Sequence, residues 1–78
     1  MSDASHPGDE LRPTDRAILE FLAGERVEYA AIVANRVGLH TPLAERRCAA
    51  LVERGYLEAV SGEVVYRITE EGRYAVER

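Results

Sequence analysis

The residues of this chain best suited to chemistry lie at the start of one amphipathic segment, where Thr41, Pro42 and Leu43 are followed by Arg46 and Arg47. An arginine guanidinium can donate two hydrogen bonds to O6 and N7 of guanine, and a threonine methyl or an apolar side chain can contact the methyl group of thymine. The same two arginines would also suit a solvated helix face with acidic neighbours. The predicted arrangement of the helices that carry these arginines distinguishes between the two interpretations.

Other side chains nearby suit the phosphate backbone of a nucleic acid. Arg36 ends the preceding segment and Arg54 ends this one, so both are better placed for phosphates than for base edges. His40 could contact a phosphate or cap the following helix. Glu45 could accept a hydrogen bond from N4 of cytosine, or it could be an ordinary surface residue.

Two predicted helices, residues 29–37 and 42–54, position this set. The apolar positions of each helix repeat at three- and four-residue spacing, which indicates one buried face; they are Ala30, Val33, Ala34 and Val37 in the first helix and Ala44, Cys48, Leu51 and Val52 in the second. We expect a positive φ at Gly38, a capping hydroxyl at Thr41 and a left-handed residue at Gly55. Two helices joined by a short turn containing glycine are typical of a helix-turn-helix.

Helical geometry also predicts which side chains of the second helix face outward. With Ala44, Cys48 and Leu51 inward, a rotation of 100° per residue turns four positions to solvent and four to one flank. The outward positions are Pro42, Arg46, Ala49 and Glu53, and the flank positions are Leu43, Arg47, Ala50 and Arg54.

One helix is predicted before this pair. Thr14 is its expected cap, Asp15 favours its first turn, and Gly24 ends it. Its inner stripe is Ile18, Phe21 and Leu22 with Leu19 on the flank, and Arg16 pairs with Glu20 on the outer side. Residues 1–13 are predicted to form a flexible tail, which leaves residues 14–78 as the single domain.

A hairpin and a last helix follow the pair. Strands at 56–60 and 64–68 are joined by a tight turn at 61–63, and Val27 is expected to form a one-residue bridge to this sheet. Thr69 is the predicted cap of the last helix. Gly72 lies inside that helix, and a close contact with the first helix would explain it.

Three helices, a hairpin and a last helix predict a mainly α fold with a small β-hairpin, the winged helix. The hairpin tip is a poor candidate for DNA binding, because Glu58 and Glu63 flank it and the nearest arginine, Arg67, lies on the strand. A wing that enters the minor groove needs arginine or lysine. The wing is therefore expected to stay off the DNA or to face a protein.

The sequence also resembles the phage-repressor-like winged-helix transcriptional regulators of halophilic archaea. The segments that carry the resemblance are AILEFL at 17–22, Ala34-Asn35, Glu45-Arg46-Arg47, LVERGYL at 51–57 and YRITEEGR at 66–73, within a matching span of residues 14–76. These segments are more specific for the fold than for the target. The resemblance implies sequence-specific binding of double-stranded DNA and transcriptional regulation by a dimer.

The charge of the chain is unusual for such a function. All ten basic residues are arginine, and fourteen acidic residues bring the net charge to −4. A DNA-binding domain normally carries a basic footprint. Adaptation to a salt-rich cytoplasm would account for the acidic surface, and so would codon bias with an ordinary acidic surface. The acidity also keeps a second hypothesis open, a winged-helix module that binds proteins.

Several classes of function lack support in the sequence. It shows no catalytic triad, no glycine-rich phosphate loop and no cluster of metal ligands, so we expect neither an enzyme nor a metal or other cofactor, and no small-molecule ligand is evident. Cys48 is expected to pack as a small hydrophobic residue. Without a membrane-spanning stretch or a signal peptide, a cytoplasmic protein is predicted. We also expect a homodimer through the first and last helices, because Tyr74 and Val76 offer apolar surface.

Overall fold

A computed structural model describes residues 11–24, 27–60, 62 and 64–77. Within those residues the fold is mainly helical, with four helices and a small antiparallel sheet of three strands. The elements are α1 (Pro13–Gly24), β1 (Glu28–Tyr29), α2 (Ala30–Val37), α3 (Thr41–Glu53), β2 (Leu57–Ala59), β3 (Val65–Ile68) and α4 (Glu70–Glu77).

The sheet has the order β1-β3-β2, so β3 lies in the middle. The predicted hairpin is present as β2 and β3, with Leu57 opposite Ile68 and Ala59 opposite Tyr66. The predicted bridge at Val27 is wrong, because Glu28 and Tyr29 make this pairing instead. Of the predicted turn, Gly62 has a φ of 77°, and its two neighbours lie outside the described residues.

The core lies between the helices and the inner face of the sheet. Its buried hydrophobic members are Ile18, Leu19, Leu22, Ala30, Val33, Cys48, Leu51, Leu57, Tyr66 and Ile68. The predicted stripes of α2 and α3 are confirmed except at their last positions, since Val37 and Val52 are only partly buried. In α1 the assignment of flank and stripe is wrong: Leu19 is fully buried and Phe21 is partly exposed.

Two predicted helix ends are confirmed by their backbone conformation. Gly38 has a φ of 78° and Gly55 a φ of 84°. After each glycine the next N–H turns back onto the helix, so that Leu39 donates to the Ala34 carbonyl and Tyr56 donates to the Leu51 carbonyl. These are the six-to-one hydrogen bonds of the Schellman motif, and they satisfy carbonyl groups that a helix end leaves without partners.

The predicted helix starts are right only for α4. Thr69 Oγ1 accepts the N–H of Gly72 at 3.0 Å and donates to the Gly55 carbonyl at 2.7 Å. Thr14 does not cap α1, because the helix already begins at Pro13. Thr41 does not cap α3 either: the helix includes Thr41, and His40 holds the cap position without a side-chain capping bond.

The boundary of the predicted tail also needs correction. Residues 1–10 lie outside the described part of the chain, but Leu11 packs against the core and Pro13 begins α1. A proline has no N–H to contribute, so it is well suited to the first position of a helix, where the N–H would have no helical partner. The helical part of the domain therefore begins before Thr14.

The contact that requires glycine at position 72, inside α4, differs from the predicted one. A Cβ atom at Gly72 would collide with the carbonyl oxygen of Tyr56 and with Cγ1 of Ile68, not with α1. The contact of α4 with α1 is made elsewhere, where Arg73 donates to the Ala23 carbonyl at 3.0 Å. Glycine at position 72 lets α4 lie against the segment that leads from α3 into β2.

Candidate nucleic-acid interface

The candidate interface is built on α2, α3 and the three residues between them. Gly38 turns the chain sharply, Leu39 is partly buried against the core, and His40 is exposed. The two helices pack against each other, and Ala34 of α2 and Ala44 of α3 are both small and buried. This turn carries the chain directly from the end of α2 into the exposed start of α3.

The outward face of α3 is the one that helical geometry predicts. Its four residues are all exposed: Pro42, Arg46, Ala49 and Glu53. Thr41 and Glu45 are half-buried on one side of this stripe. The predicted flank is half-buried on the other side, and its members are Leu43, Arg47, Ala50 and Arg54. Arg46 is therefore the only long cationic side chain on the exposed stripe of α3.

Arg47 points in a different direction from Arg46. Its Nε donates to Oδ1 of Asp15 at 2.9 Å and its Nη2 donates to Oδ2 at 3.0 Å, so the two side chains form a bidentate ion pair between α3 and α1. The Asp15 side chain is fully buried, and that of Arg47 is 20% exposed. Two of the donors that a guanine contact would require are thus already used inside the protein.

This pair was not predicted, although the sequence contains a signal for it. Asp15 precedes Ile18, Leu19 and Leu22 by three, four and seven residues, so it lies on the apolar stripe of α1. Aspartate is almost never fully buried unless it is paired. An acidic residue on a buried stripe therefore indicates a cationic partner from another element, although it does not identify that partner.

Asp15 also stabilises the start of its own helix. Its Oδ2 accepts the backbone N–H of Arg12 at 3.4 Å, which is the reciprocal half of a capping box. The negative charge at the N-terminus of α1 is favourable as well. The hydrogen bond and charge of Asp15 raise the pKa of Arg47, which therefore stays charged.

Cys48 follows Arg47 and is fully buried, as its position on the stripe predicts. Burial raises the pKa of its thiol to about 12, and the nearby carboxylates of Asp15 and Glu45 act in the same direction. The neutral thiol packs as a small hydrophobic group.

The two other predicted arginines lie against aromatic rings. The guanidinium of Arg36, which is exposed in the last turn of α2, is 5.8 Å from the centre of the Phe21 ring. That of Arg54 is 5.0 Å from the centre of the Tyr56 ring. Both distances are within the range of cation–π contacts, in which the face of the ring attracts the guanidinium.

The arginine closest to the predicted wing is paired with an acidic residue. Arg67 donates to Glu58 Oε1 through Nη2 at 3.0 Å, and both side chains are about half exposed. The two residues are opposite each other in the register of β2 and β3. This pairing on the sheet neutralises Arg67 locally and gives the hairpin no surplus of positive charge.

Four large hydrophobic side chains in or next to β1, α2 and β3 are exposed. We call this set the β1 patch; its members are Val27, Tyr29, Ile32 and Val64. Tyr29 is 53% exposed, and it precedes Ile32 by about one helical turn. The backbone N–H of Ala30 donates to the Val64 carbonyl, which brings Val64 beside the start of α2.

The surfaces of α1 and α4 provide less apolar area than predicted. Val76 packs against the core of its own chain, while Tyr74 is 66% exposed.

Comparison with protein-family models and with curated proteins finds no match for this chain. Across the described part of the chain, no group of three or more histidine, cysteine, aspartate or glutamate side chains is arranged to bind a metal ion. None of the helices in that part has the length and apolar character needed to cross a membrane. The resemblance to halophilic regulators remains a prediction from sequence.

Proposed function

We propose that the chain is a winged helix that binds double-stranded DNA in a sequence-specific way and regulates transcription, with α3 in the major groove. The observation that supports this best is the outward stripe of α3, on which Arg46 is exposed between the short side chains of Pro42 and Ala49. The major groove admits an α-helix, and the N-terminal residues of a recognition helix contact the base edges.

Arg46 is the proposed reader of a base pair. It is exposed on the outward stripe, and it makes no ion pair among the described residues, so both donors of its fork can reach O6 and N7 of guanine. Pro42 and Ala49 lie one turn before it and nearly one turn after it, and both are short enough to let α3 approach the bases. An apolar contact with a thymine methyl beside the guanine suits these residues and Thr41 or Leu43.

Phosphate contacts are assigned to the arginines and the histidine around this stripe. Arg36 is exposed at the end of α2, His40 is exposed at the turn, and Arg54 lies at the other end of α3. Such contacts fix the register of the protein on DNA without reading sequence. We do not assign a DNA contact to Arg47, because its guanidinium binds the carboxylate of Asp15.

The acidic composition makes base contacts more important than phosphate contacts. If four phosphates were neutralised, a tenfold rise in salt would lower the binding constant by a factor of about 4,000 at a slope of about −0.9 per phosphate. A protein that works in a salt-rich cytoplasm, as the resemblance implies, cannot depend on that contribution. A bidentate base contact supplies about 1–3 kcal/mol of discrimination.

A second function is favoured by the β1 patch. Exposed large apolar side chains are typical of protein–protein contacts, and an acidic body with an acidic hairpin is poorly suited to DNA. In this alternative, the winged helix binds a protein through Tyr29, Ile32 and their neighbours, and α3 reads no DNA.

Selection of bound sequences from random duplex DNA at high KCl tests the first function against the second. Enrichment of a motif that contains a guanine, with two half-sites if the protein binds as a dimer, supports DNA binding. Wild-type protein that enriches no sequence would contradict it. Arg46→Ala and Ile32→Asp serve as matched variants, because DNA binding depends on the first residue and the alternative function on the second.

A further inference from the structure

We propose that the Asp15–Arg47 pair sets the orientation of α3 and thereby the base selectivity of Arg46. The inference rests on the proposed DNA-binding function. Asp15 lies in the first turn of α1, Arg47 lies 32 residues later in the middle of α3, and the two planar groups meet through two hydrogen bonds of 2.9 and 3.0 Å. In this role Arg47 is a positioning residue that does not contact DNA.

The geometry of the pair restricts rotation as well as distance. A bidentate arginine–carboxylate contact requires both groups to lie nearly in one plane, so it has a direction that an apolar contact lacks. Asp15 cannot adjust easily, because it is fully buried and also accepts the N–H of Arg12 at the start of α1. The carboxylate is therefore a fixed point against which α3 is aligned.

Apolar packing alone leaves α3 less well defined. Two of the three buried residues on its inner side, Ala44 and Cys48, are small, and only Leu51 is large. Hydrophobic contact is non-directional. Small side chains at a helix–helix contact permit close approach but resist a small rotation of the helix only weakly.

A small rotation of α3 would matter at the end of Arg46. The backbone of a helix has a radius of about 2.3 Å, and an extended arginine places its guanidinium roughly 9 Å from the helix axis. A rotation of about 20° would then move this group by roughly 3 Å. Hydrogen bonds to both O6 and N7 of guanine tolerate only a few tenths of an ångström.

The main test compares wild-type protein with Arg47→Lys. Lysine keeps the positive charge but cannot form the planar two-bond contact. At the guanine read by Arg46, we expect Arg47→Lys to discriminate against the other bases at least about fivefold less than wild type. About fivefold is the lower end of the discrimination that a bidentate contact supplies. The slope of log K against log salt should be unchanged. Arg16→Lys, an exposed change in the first turns of α1, is the matched control and should keep the selectivity.

A double variant keeps the test valid if Arg47→Lys folds poorly. Replacing both partners of a buried ion pair by apolar residues often preserves folding. Asp15→Leu combined with Arg47→Met should therefore stay folded while it lacks the directional contact, and it should show the same loss of selectivity. Residual dipolar couplings of the amides in α1 and α3 report the relative orientation of these helices without DNA, and they should change in both variants.

The outcomes separate this inference from the function on which it rests. Full guanine discrimination in Arg47→Lys, with unchanged couplings, would overturn the positioning role while leaving DNA binding intact. A salt slope lowered by about 0.9 in the double variant relative to Arg47→Lys would make Arg47 a phosphate contact and would also overturn it. Wild-type protein that selects no sequence would overturn the proposed function and, with it, the role in selectivity.

Discussion

The two sides of α3 place consecutive arginines in opposite environments. Arg46 is exposed on the outward stripe, whereas Arg47 reaches across to the fully buried carboxylate of Asp15. The neighbours differ in the same way: Ala49 is exposed and Cys48 is buried. A rotation of 100° about the helix axis separates each member of these pairs.

This difference shows that the two consecutive arginines of α3 do not act as one unit. Either arginine could be assigned to DNA from residue type and position alone. The presence of a carboxylate on the facing surface of α1 distinguishes them. Substitutions on the inner side of α3 should therefore lower the stability of the fold most strongly, and those on the outer side should change the proposed binding to DNA.

The largest expected effect is on the stability of Arg47→Met. This change leaves the Asp15 carboxylate buried without its charged partner, which typically costs about 3–5 kcal/mol. Arg46→Met is the matched control and should change the free energy of unfolding by less than about 0.5 kcal/mol, because Arg46 is exposed. Urea denaturation at neutral pH measures both values. Equal effects in the two variants would remove the distinction between the two sides of the helix.

A smaller effect is expected from serine substitutions one position further along. Cys48→Ser places a hydroxyl in the core and should cost about 1–3 kcal/mol if the hydroxyl finds no partner. Ala49→Ser changes an exposed position and should stay within about 0.5 kcal/mol of wild type. Thermal or urea unfolding of both variants checks the prediction, and a destabilised Ala49→Ser would show that the outward stripe also makes structural contacts.

Alkaline pH should reveal the buried thiol. The pKa of Cys48 is raised to about 12 in the folded state, against 9.0 for an ordinary thiol, so the unfolded chain loses this proton first and stability falls as pH rises above 9. Between pH 8 and pH 10 the ionisation of Cys48 in the unfolded chain lowers the free energy of unfolding by about 1.4 kcal/mol. Urea denaturation at the two pH values measures it. Cys48→Ala should lack this part of the loss, and the prediction fails if the variant loses stability as steeply as wild type.

The smallest effect is expected from the acidic residue on the outward stripe. Glu53 is exposed on the face proposed to meet DNA, where its charge repels phosphate by about 0.6 kcal/mol at a separation of roughly 7 Å in water. Glu53→Gln should therefore strengthen binding to all sequences by about threefold at low salt. Glu70→Gln on α4 is the control with the same change of charge. Fluorescence anisotropy measures the DNA affinity of both variants. Equal increases in affinity would indicate that DNA does not bind at the outward stripe of α3.

Much of the fold could be predicted because local rules determine it. Gly38 and Gly55 adopt the positive φ values that their places after helices require, and Thr69 caps α4 through its hydroxyl. The prediction failed where several residues could satisfy the same rule. Both Thr14 and Thr41 are suitable caps, yet each lies inside its helix, because the helices begin at Pro13 and Thr41.

Contacts between distant segments were harder to predict. The exposed stripe of α3 follows from helical periodicity, but the partner of Arg47 lies 32 residues away in α1. The role of Gly72 likewise depends on the Tyr56 carbonyl, which a sequence pattern does not locate. The buried position of Asp15 could have been suspected from its place on the α1 stripe, although its partner could not.

The most direct test of the proposed function compares wild-type protein and Arg46→Ala by selection from random duplex DNA, followed by titration of the selected site over a range of KCl. We predict that the variant loses preference at one guanine in each half-site while the salt slope stays nearly the same, because Arg46 binds a base and not a phosphate. If Arg46→Ala weakens binding to every sequence equally and lowers the slope by about 0.9, Arg46 contacts a phosphate, and the proposed placement of α3 in the major groove is contradicted.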